Sequence, residues 1–416
     1  MPSENSVSLA NLQRKNLPHI SSSLNLLEPM QLLNGLYRFQ HKEQAYNLPC
    51  SHRYHQIQPI TTVASTAFTN TNYFFDFNLP MNIDMIDEEV LLFSLYNSSV
   101  VDSWTAKSSV PWWFQRIEIR HDNEIKQTLR DIQLYLENTI YLNDFEREKN
   151  VPMIGLDKDT YKSNNDAVTI LSSVTKTFRL RLNSLLSKCN INLKQLRGQV
   201  VIRVYPQAMS AFSDSAINSS MQLQSPMLLI RECELSGDGR NKMNLIHRHN
   251  VDYRYLDVVH EQAIVNLTAN STFKYVTNNF HDTLYSHVVV LSRIANPTLE
   301  NLEEFIEHLN VYFEDVSSAN LSNGIQWTSD DLKQVVYQSH FPNSMTQQTD
   351  MNVYVPLVAS LNPVDSYKKG VQNGYEVLPR NSKLCLNPKT TQQTQLDIVC
   401  YEYKHCRIEN GKINLF

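Results

Sequence analysis

Ser236-Gly237-Asp238-Gly239-Arg240-Asn241-Lys242, running on to His247-Arg248-His249-Asn250, is the stretch on which the reading of this chain turns. Gly237 and Gly239 are its closest pair of glycines, in a sequence with only 9. The apolar run Met227 to Leu235 stops here and a new one opens at Tyr253. Clustered Gly, Asp and Asn between two strand-like runs mark a break in regular structure. The break leaves segments of similar length on either side, which raises the question of whether one β-rich unit occurs twice.

Working outward, both sides read as short strands. The N-terminal side turns to period two from Tyr54. It carries Tyr73-Phe74-Phe75-Asp76-Phe77, Val90 to Leu95, Ile117-Glu118-Ile119-Arg120, Phe178-Arg179-Leu180-Arg181-Leu182, Gln199 to Tyr205 and Met227 to Leu235. Such alternation places apolar side chains on one face of a half-buried strand. Leu129, Ile132, Leu136 and Ile140 stand at helical spacing and predict one helix across an end of the sandwich. C-terminal to the break the predicted strands are Tyr253 to Val265, Thr272 to Val276, His287 to Leu291, Val311 to Phe313, Asn352 to Leu357 and Leu396 to Tyr403. Asn296 caps Pro297 at the start of a predicted helix carrying Leu302, Phe305, Ile306 and Leu309. A further short helix is predicted from Ser329 to Tyr337, next to Trp327.

Corresponding blocks recur at a nearly constant offset. Tyr54 to Tyr253 and Phe74 to Phe273 are each 199 residues, Leu91 to Val288 is 197, Ile117 to Val311 is 194 and Ile202 to Ile398 is 196. Leu129 and Ile132 correspond roughly to Leu332 and Val335. Phe178 to Val353, at 175, breaks step. A loop near Asn150 to Asp166 in the first copy, balanced by a longer one from Ser366 to Thr394 in the second, would account for it. The expected fold is all-β: two tandem eight-stranded antiparallel sandwiches with short helices in the loops. The expected organisation is an arm over 1–50, a first unit over 51–236, a linker over 237–250 and a second unit over 251–416.

The 416 residues allow two domains or one large one, and 42% hydrophobic against 19% charged residues permit a full core. A net charge of −5 leaves no basic surplus for phosphates, so direct nucleic-acid binding is not expected. No run of about 18 apolar residues occurs, so no bilayer-spanning segment is expected. Met-Pro-Ser-Glu-Asn lacks the charged start and apolar core of a secretory signal, and none is expected. Cys50, Cys189, Cys233, Cys385, Cys400 and Cys406 show no CxxC spacing and read as reduced, mostly buried thiols. Asn-x-Ser/Thr triplets at Asn97, Asn218, Asn266, Asn270 and Asn320 read as chance in an Asn-rich chain. In the arm, Leu26, Leu27, Met30, Leu33 and Tyr37 stand at helical spacing that Pro29 and Gly35 weaken. The amphipathic segment can lie on a membrane, on a neighbouring subunit or under its own domain.

The ordered blocks, together with Val353-Tyr354-Val355-Pro356-Leu357, Gly374-Tyr375-Glu376-Val377-Leu378-Pro379 and Asp397-Ile398-Val399-Cys400-Tyr401-Glu402-Tyr403, resemble those of a known family over about residues 50 to 416. It is the double jelly-roll major capsid proteins of tailless icosahedral, often membrane-containing viruses, the lineage shared by some phages, virophages and adenoviruses. The resemblance rests on architecture rather than on a diagnostic motif. It implies two jelly rolls, a homotrimer whose six rolls form a pseudo-hexagonal capsomer, and a place in the virion after synthesis in the host cytoplasm. Lateral capsomer contacts, penton and minor capsid proteins and an inner viral membrane are the implied partners. No catalytic residue, cofactor or metal is implied.

Trp112 and Trp113, ahead of a strand, and Trp327, read as the corresponding place of the second copy, are expected core or interface anchors. As sugar platforms they would instead define a carbohydrate-binding or carbohydrate-active β-sandwich protein, the main alternative. A secreted adhesin of tandem β domains is disfavoured by the lack of a signal and of a disulfide pattern. His52 with His55, and His247 with His249, lack the further ligands a metal site needs. Asp87-Glu88-Glu89, Glu303-Glu304 and Asp330-Asp331 read as solvated turn or helix-start charges rather than opposed catalytic carboxylates. Gly-x-Ser-x-Gly, Walker and dinucleotide glycine patterns are missing, so no nucleotide enzyme or serine hydrolase is expected.

Overall fold

The structure, a computed structural model, describes residues 50–69, 73–106, 108–138, 149–150, 152–155, 168–241, 252–268, 273–276, 284–294, 298–299, 306–312, 325–328, 352–356, 376–377, 383–388 and 392–415. Between residues 273 and 396 the description is of backbone alone.

In chain order the first half contains β1 (Cys50–Ile57), β2 (Phe75–Asn78), β3 (Met85–Asn97), β4 (Trp104–Ala106), β5 (Phe114–His121), β6 (Glu124–Arg130) and helix α1 (Asp131–Asn138). There follow β7 (Val168–Ile170), β8 (Thr175–Arg181), the single-turn helix α2 (Leu185–Lys188), β9 (Val200–Pro206) and β10 (Met221–Leu235). The second half contains β11 (Asp252–Leu267), β12 (Phe273–Val276), β13 (Leu284–Ile294), β14 (Thr298–Leu299), β15 (Ile306–Tyr312) and β16 (Ile325–Thr328). It ends with β17 (Asn352–Pro356), β18 (Glu376–Val377), β19 (Lys383–Pro388), β20 (Gln392–Glu409) and β21 (Lys412–Leu415).

Strand order decides the architecture. One sheet of the first half runs β1-β10-β3-β8 and its partner runs β2-β9-β5-β6, all antiparallel. In the second half β11-β20-β13 continues to β17, and the facing sheet runs β12-β19-β15-β16, again antiparallel. Position by position these are one plan: β11 repeats β1, β20 repeats β10, β13 repeats β3, and so on through all eight strands. Each half is an eight-stranded jelly roll. Local sequence agrees with it. In β9, Val200, Ile202 and Val204 are buried while Val201, Arg203 and Tyr205 are partly exposed, the alternation a half-buried strand requires. Asp122 and Asn123, both with positive φ, make the two-residue turn between β5 and β6. Ser225, at φ 47, marks a bulge that shifts the β10–β3 register beside Pro226.

The topology corrects several expectations. Phe178 and Val353, the pair that broke step, lie in the equivalent strands β8 and β17. Ile202 and Ile398, which kept step, lie in the non-equivalent strands β9 and β20. The register partners make the true offset plain: Leu91 pairs with Leu228 and Val288 pairs with Cys400, so β10 and β20 are 172 residues apart. The spacing therefore drops after β6, and Ser366 to Thr394 does not balance it as a loop, because that stretch contains β18, β19 and the start of β20.

The helix expected after Pro297 is also corrected. Thr298–Leu299 and Ile306–Tyr312 are strands, and the Leu302, Phe305, Ile306, Leu309 spacing misleads because short apolar runs do not distinguish the two periods. Pairing to both β16 and β19 decides for strand. Leu129 belongs to β6 and the first-half helix starts at Asp131; Ile140, and the helix expected over 329–337, fall outside the described residues. Asp87-Glu88-Glu89 lie within β3 rather than at a solvated turn.

An aromatic cluster fills the first roll. Phe68, Phe93, Trp104, Trp113, Phe114, Phe178 and Phe212 are all buried, with edge-to-face, tilted or stacked ring pairs 5.0 to 6.4 Å apart. Trp104 Nε1 donates to Asn218 Oδ1 at 2.7 Å and Trp113 Nε1 to Ser108 O at 3.0 Å, so burial leaves neither indole unsatisfied.

Candidate functional site

The site the described residues build most completely is the seam between the two rolls. Its apolar part consists of Tyr253, Tyr255, Cys406, Ile408 and Ile413, which join the same continuous cluster as the first roll's core. They come from the ends of β11 and β20 that extend beyond the second roll's own sheet partners, and from β21.

Polar groups lock this contact. Gln127 on β6 donates from Nε2 to Asp257 Oδ1 at 2.9 Å, and its Oε1 accepts from Leu185 N at 2.6 Å. Lys188, closing α2, donates to Glu137 Oε1 at 2.8 Å and to Leu256 O at 3.1 Å. Lys404 donates to Glu402 Oε1 at 2.9 Å and to Asp257 Oδ2 at 3.1 Å. Burial alone would lower the Lys404 ammonium; Asp257 and Glu402 outweigh it and leave it raised. Burial, reinforced by Asp257, pushes the Tyr255 phenol well above its usual range. Behind the seam, Glu89 is fully buried and its pKa is raised by desolvation, although the Ser184 and Ser187 hydroxyls each donate to it at 2.6 Å.

The β20–β21 hairpin closes the seam at its edge. Its turn is Asn410-Gly411, both with positive φ, the pair such a turn favours. Arg197 N donates to Gly411 O at 2.8 Å. A Cβ on Gly411 would sit 2.9 Å from that nitrogen, so the approach requires glycine. Burying charge is costly unless each group has partners. The arrangement therefore holds the rolls in one relative setting.

The expected site residues fall as follows. Trp113 is completely buried and Trp112 nearly so, its ring tilted against Tyr135 with centroids 5.2 Å apart. Trp113 belongs to the roll's own core cluster, whereas Trp112 lies outside it against the first-half helix. Trp327 lies on β16, which repeats β6, whereas Trp112 and Trp113 precede β5; it is not in the corresponding place. Leu26, Leu27, Met30 and Leu33 lie outside the described residues, as do His247, His249, Glu303-Glu304 and Asp330-Asp331. His55 meets Glu232 at 2.6 Å rather than His52. Asp87 pairs with Arg231, and Glu88 with Arg181 and Arg231. Gly237 and Gly239 sit in a helical turn over 237–241, pinned by Arg240 to Asp84 and Glu234. Sequence reasoning missed Gln127, Lys188, Asp257, Lys404 and His121, whose ring lies 2.7 Å from Arg197 O and 3.4 Å from Ile413 N; only the Asn410-Gly411 dipeptide between apolar runs could have signalled the seam.

Among the described residues no group of three or more His, Cys, Asp or Glu side chains could hold a metal ion, and no helix is long and apolar enough to cross a membrane. No family model and no curated protein matches the chain. Solved structures share its fold. PBCV-1 VP54, in a crystal structure fitted into a cryo-EM reconstruction of the virophage Sputnik, covers 88% of this chain and 97% of its own, with TM-score 0.65 and 13% identity. The Faustovirus major capsid protein covers 86% and 90%, with TM-score 0.60 and 9% identity. A quasi-atomic model of the PBCV-1 virus capsid covers 88% and 97%, with TM-score 0.64 and 12% identity. The likeness is one of fold and spans both rolls.

Proposed function

We propose that this chain is the major capsid protein of an icosahedral virus, a homotrimer whose six rolls form a pseudo-hexagonal capsomer. The observation that carries the reading is the same eight-strand order in both halves, sealed side by side by a buried seam. A rigid pair of like rolls offers similar lateral faces. Three chains around a threefold axis then present six of them, the geometry a hexagonal lattice needs. A closed ring of identical heterologous contacts is the simplest trimer, and each must bury roughly 1,000 Å² to be specific. The solved capsid proteins with this fold support the reading over nearly their whole length.

On this reading the protein resides in the virion shell and its first partner is itself. Penton and minor capsid proteins, and an inner membrane, are the further partners; the genome is not contacted directly, in keeping with a net charge of −5. The arm segment with Leu26, Leu27, Met30 and Leu33 would contact a neighbouring capsomer or that membrane. Size-exclusion chromatography with light scattering tests the proposal. A stable particle of three times 48.2 kDa is expected, and a clean monomer at assembly concentrations would overturn it. The same measurement on a chain lacking residues 1–45 is expected to keep the trimer and lose shell assembly; loss of folding would instead place the arm in the core.

A further inference from the structure

We propose that Lys404 and Asp257 become joined by an intramolecular amide bond, which the folded chain forms by itself with Glu402 as the proton relay. This rests on the geometry of β11 and β20 and does not depend on the shell reading. Asp257 and Glu402 are register partners on these strands, and Lys404 follows Glu402 by two residues, so all three share one face. Lys404 Nζ lies 3.1 Å from Asp257 Oδ2 and 2.9 Å from Glu402 Oε1. Asp257 Oδ1 accepts from Gln127 Nε2 at 2.9 Å. An amine, a carboxyl group and a second carboxylate beside the amine are what amide formation needs. Here they already stand in contact.

The surroundings favour condensation. Asp257 and Glu402 are buried and Lys404 is half-buried. Completely buried Tyr255 walls the site; burial and the charges of Asp257 and Glu402 raise the pKa of its phenol. The other amine at the seam, Lys188, is held by Glu137 and Leu256 O, which leaves Lys404 as the amine that Asp257 meets. Two carboxylates share the Lys404 ammonium. Buried ions are costly even when paired, and an amide replaces one ammonium and one carboxylate with a neutral group. Burial alone would lower the Lys404 pKa, but the two carboxylates keep it raised, so the ion pair is the state from which the reaction starts.

The step balances without any other reactant. Lys404 begins as an ammonium with three hydrogens and Asp257 as a carboxylate. One proton passes from Nζ through Glu402 to Asp257 Oδ2, giving a free amine beside a carboxylic acid. The Nζ lone pair attacks Asp257 Cγ and the N–C bond forms. A second proton follows the same route to Oδ2, the Cγ–Oδ2 bond breaks and water leaves. Oδ1 stays as the amide oxygen, and Gln127 Nε2 donates to it as charge builds there in the transition state. Glu402 ends as it began, and nothing is oxidised or reduced. Holding amine and carboxyl in contact supplies the proximity that the same groups lack in water. The bond would tie β11 to β20 between residues 147 apart in sequence, a covalent constraint on the unfolded chain.

The test is intact-mass spectrometry of the full chain, purified folded, incubated overnight and then denatured. The wild type is expected to be lighter than its sequence mass by one water, and its digest to yield one branched peptide carrying both Lys404 and Asp257. Peptide mapping separates this from a succinimide at Asp238-Gly239, which also loses a water. An unmodified mass, or a loss confined to the Asp238 peptide, would overturn the proposal. Lys404→Arg keeps the cation but removes the amine, and Glu402→Gln keeps the shape of the relay but cannot carry the proton. Neither is expected to lose water at Asp257. Such a loss from the Asp257 peptide of Lys404→Arg, or a branched peptide in Glu402→Gln, would equally overturn it. Should the variants fail to fold, the wild-type mass and peptide map decide.

Discussion

The aromatic core of the first roll and the buried stretches of β11 and β20 are held by different chemistry. The first packs Phe68, Phe93, Trp104, Trp113, Phe114, Phe178 and Phe212 ring against ring. Along β11 and β20, Asp257, Glu261, Asp397 and Glu402 are buried among Tyr255, Leu256, Ile398, Val399, Cys400 and Tyr401. His260 meets Asp397 there at 2.7 Å, and burial pushes the Cys400 thiol well above its usual range, aided by Glu261 and Glu402. Those carboxylates persist where neighbours pair with them, as Gln127 and Lys404 do with Asp257 and His260 does with Asp397.

The contrast can be broken at its strongest point first. Trp113→Ala removes the ring at the centre of the aromatic cluster and should cost about 3–5 kcal/mol, read from denaturant midpoints. A loss below about 1 kcal/mol would mean the cluster is not the stabilising core. The seam comes next. Lys188→Met deprives buried Glu137 of its cation and should cost about 3 kcal/mol. Adding Glu137→Leu should restore most of it, since a buried pair can often be exchanged for apolar packing; failure of that rescue would show that the charges set the relative placement of the rolls.

The smallest effect is expected at Glu89 and has the opposite sign. Its pKa is raised in the folded protein, so its stabilising contribution is complete below the unfolded carboxylate range and is lost as pH rises through the folded value. Glu89→Gln should therefore flatten the decline in melting temperature above about pH 4.5 and leave the variant no less stable than the wild type near neutrality. A steeper decline in the variant would mean that the Ser184 and Ser187 bonds outweigh desolvation.

Much of the fold was legible in the chain. Val200 to Tyr205 and Phe178 to Leu182 alternate because one face of each strand is buried, and that periodicity needs no knowledge of partners. The duplication was legible for the same reason, although by an alignment right in five of its strand pairs and wrong at Ile202 to Ile398. The error has a physical cause. β19, Lys383–Pro388, is a short strand of mixed polarity and passed for loop, so the strong run at Leu396 to Tyr403 was matched to β9 instead of β10. The helix expected over Leu302 to Leu309 failed because only pairing to β16 and β19 distinguishes a short apolar strand from a helical face. By sequence Glu89 reads as a solvated charge, because nothing local shows that Ser184 and Ser187 will meet it.

By itself the sequence determined that the chain is built of alternating half-buried strands and that its two sides are variations on one theme, since both properties are local and periodic. The tertiary structure alone decided which strands are equivalent, that Trp113 lies in the first roll's core, and that His121, Gln127 and Lys188 fasten one roll to the other. Those outcomes depend on groups separated by tens to hundreds of residues, such as His121 and Ile413, whose partnership exists only once both rolls have formed.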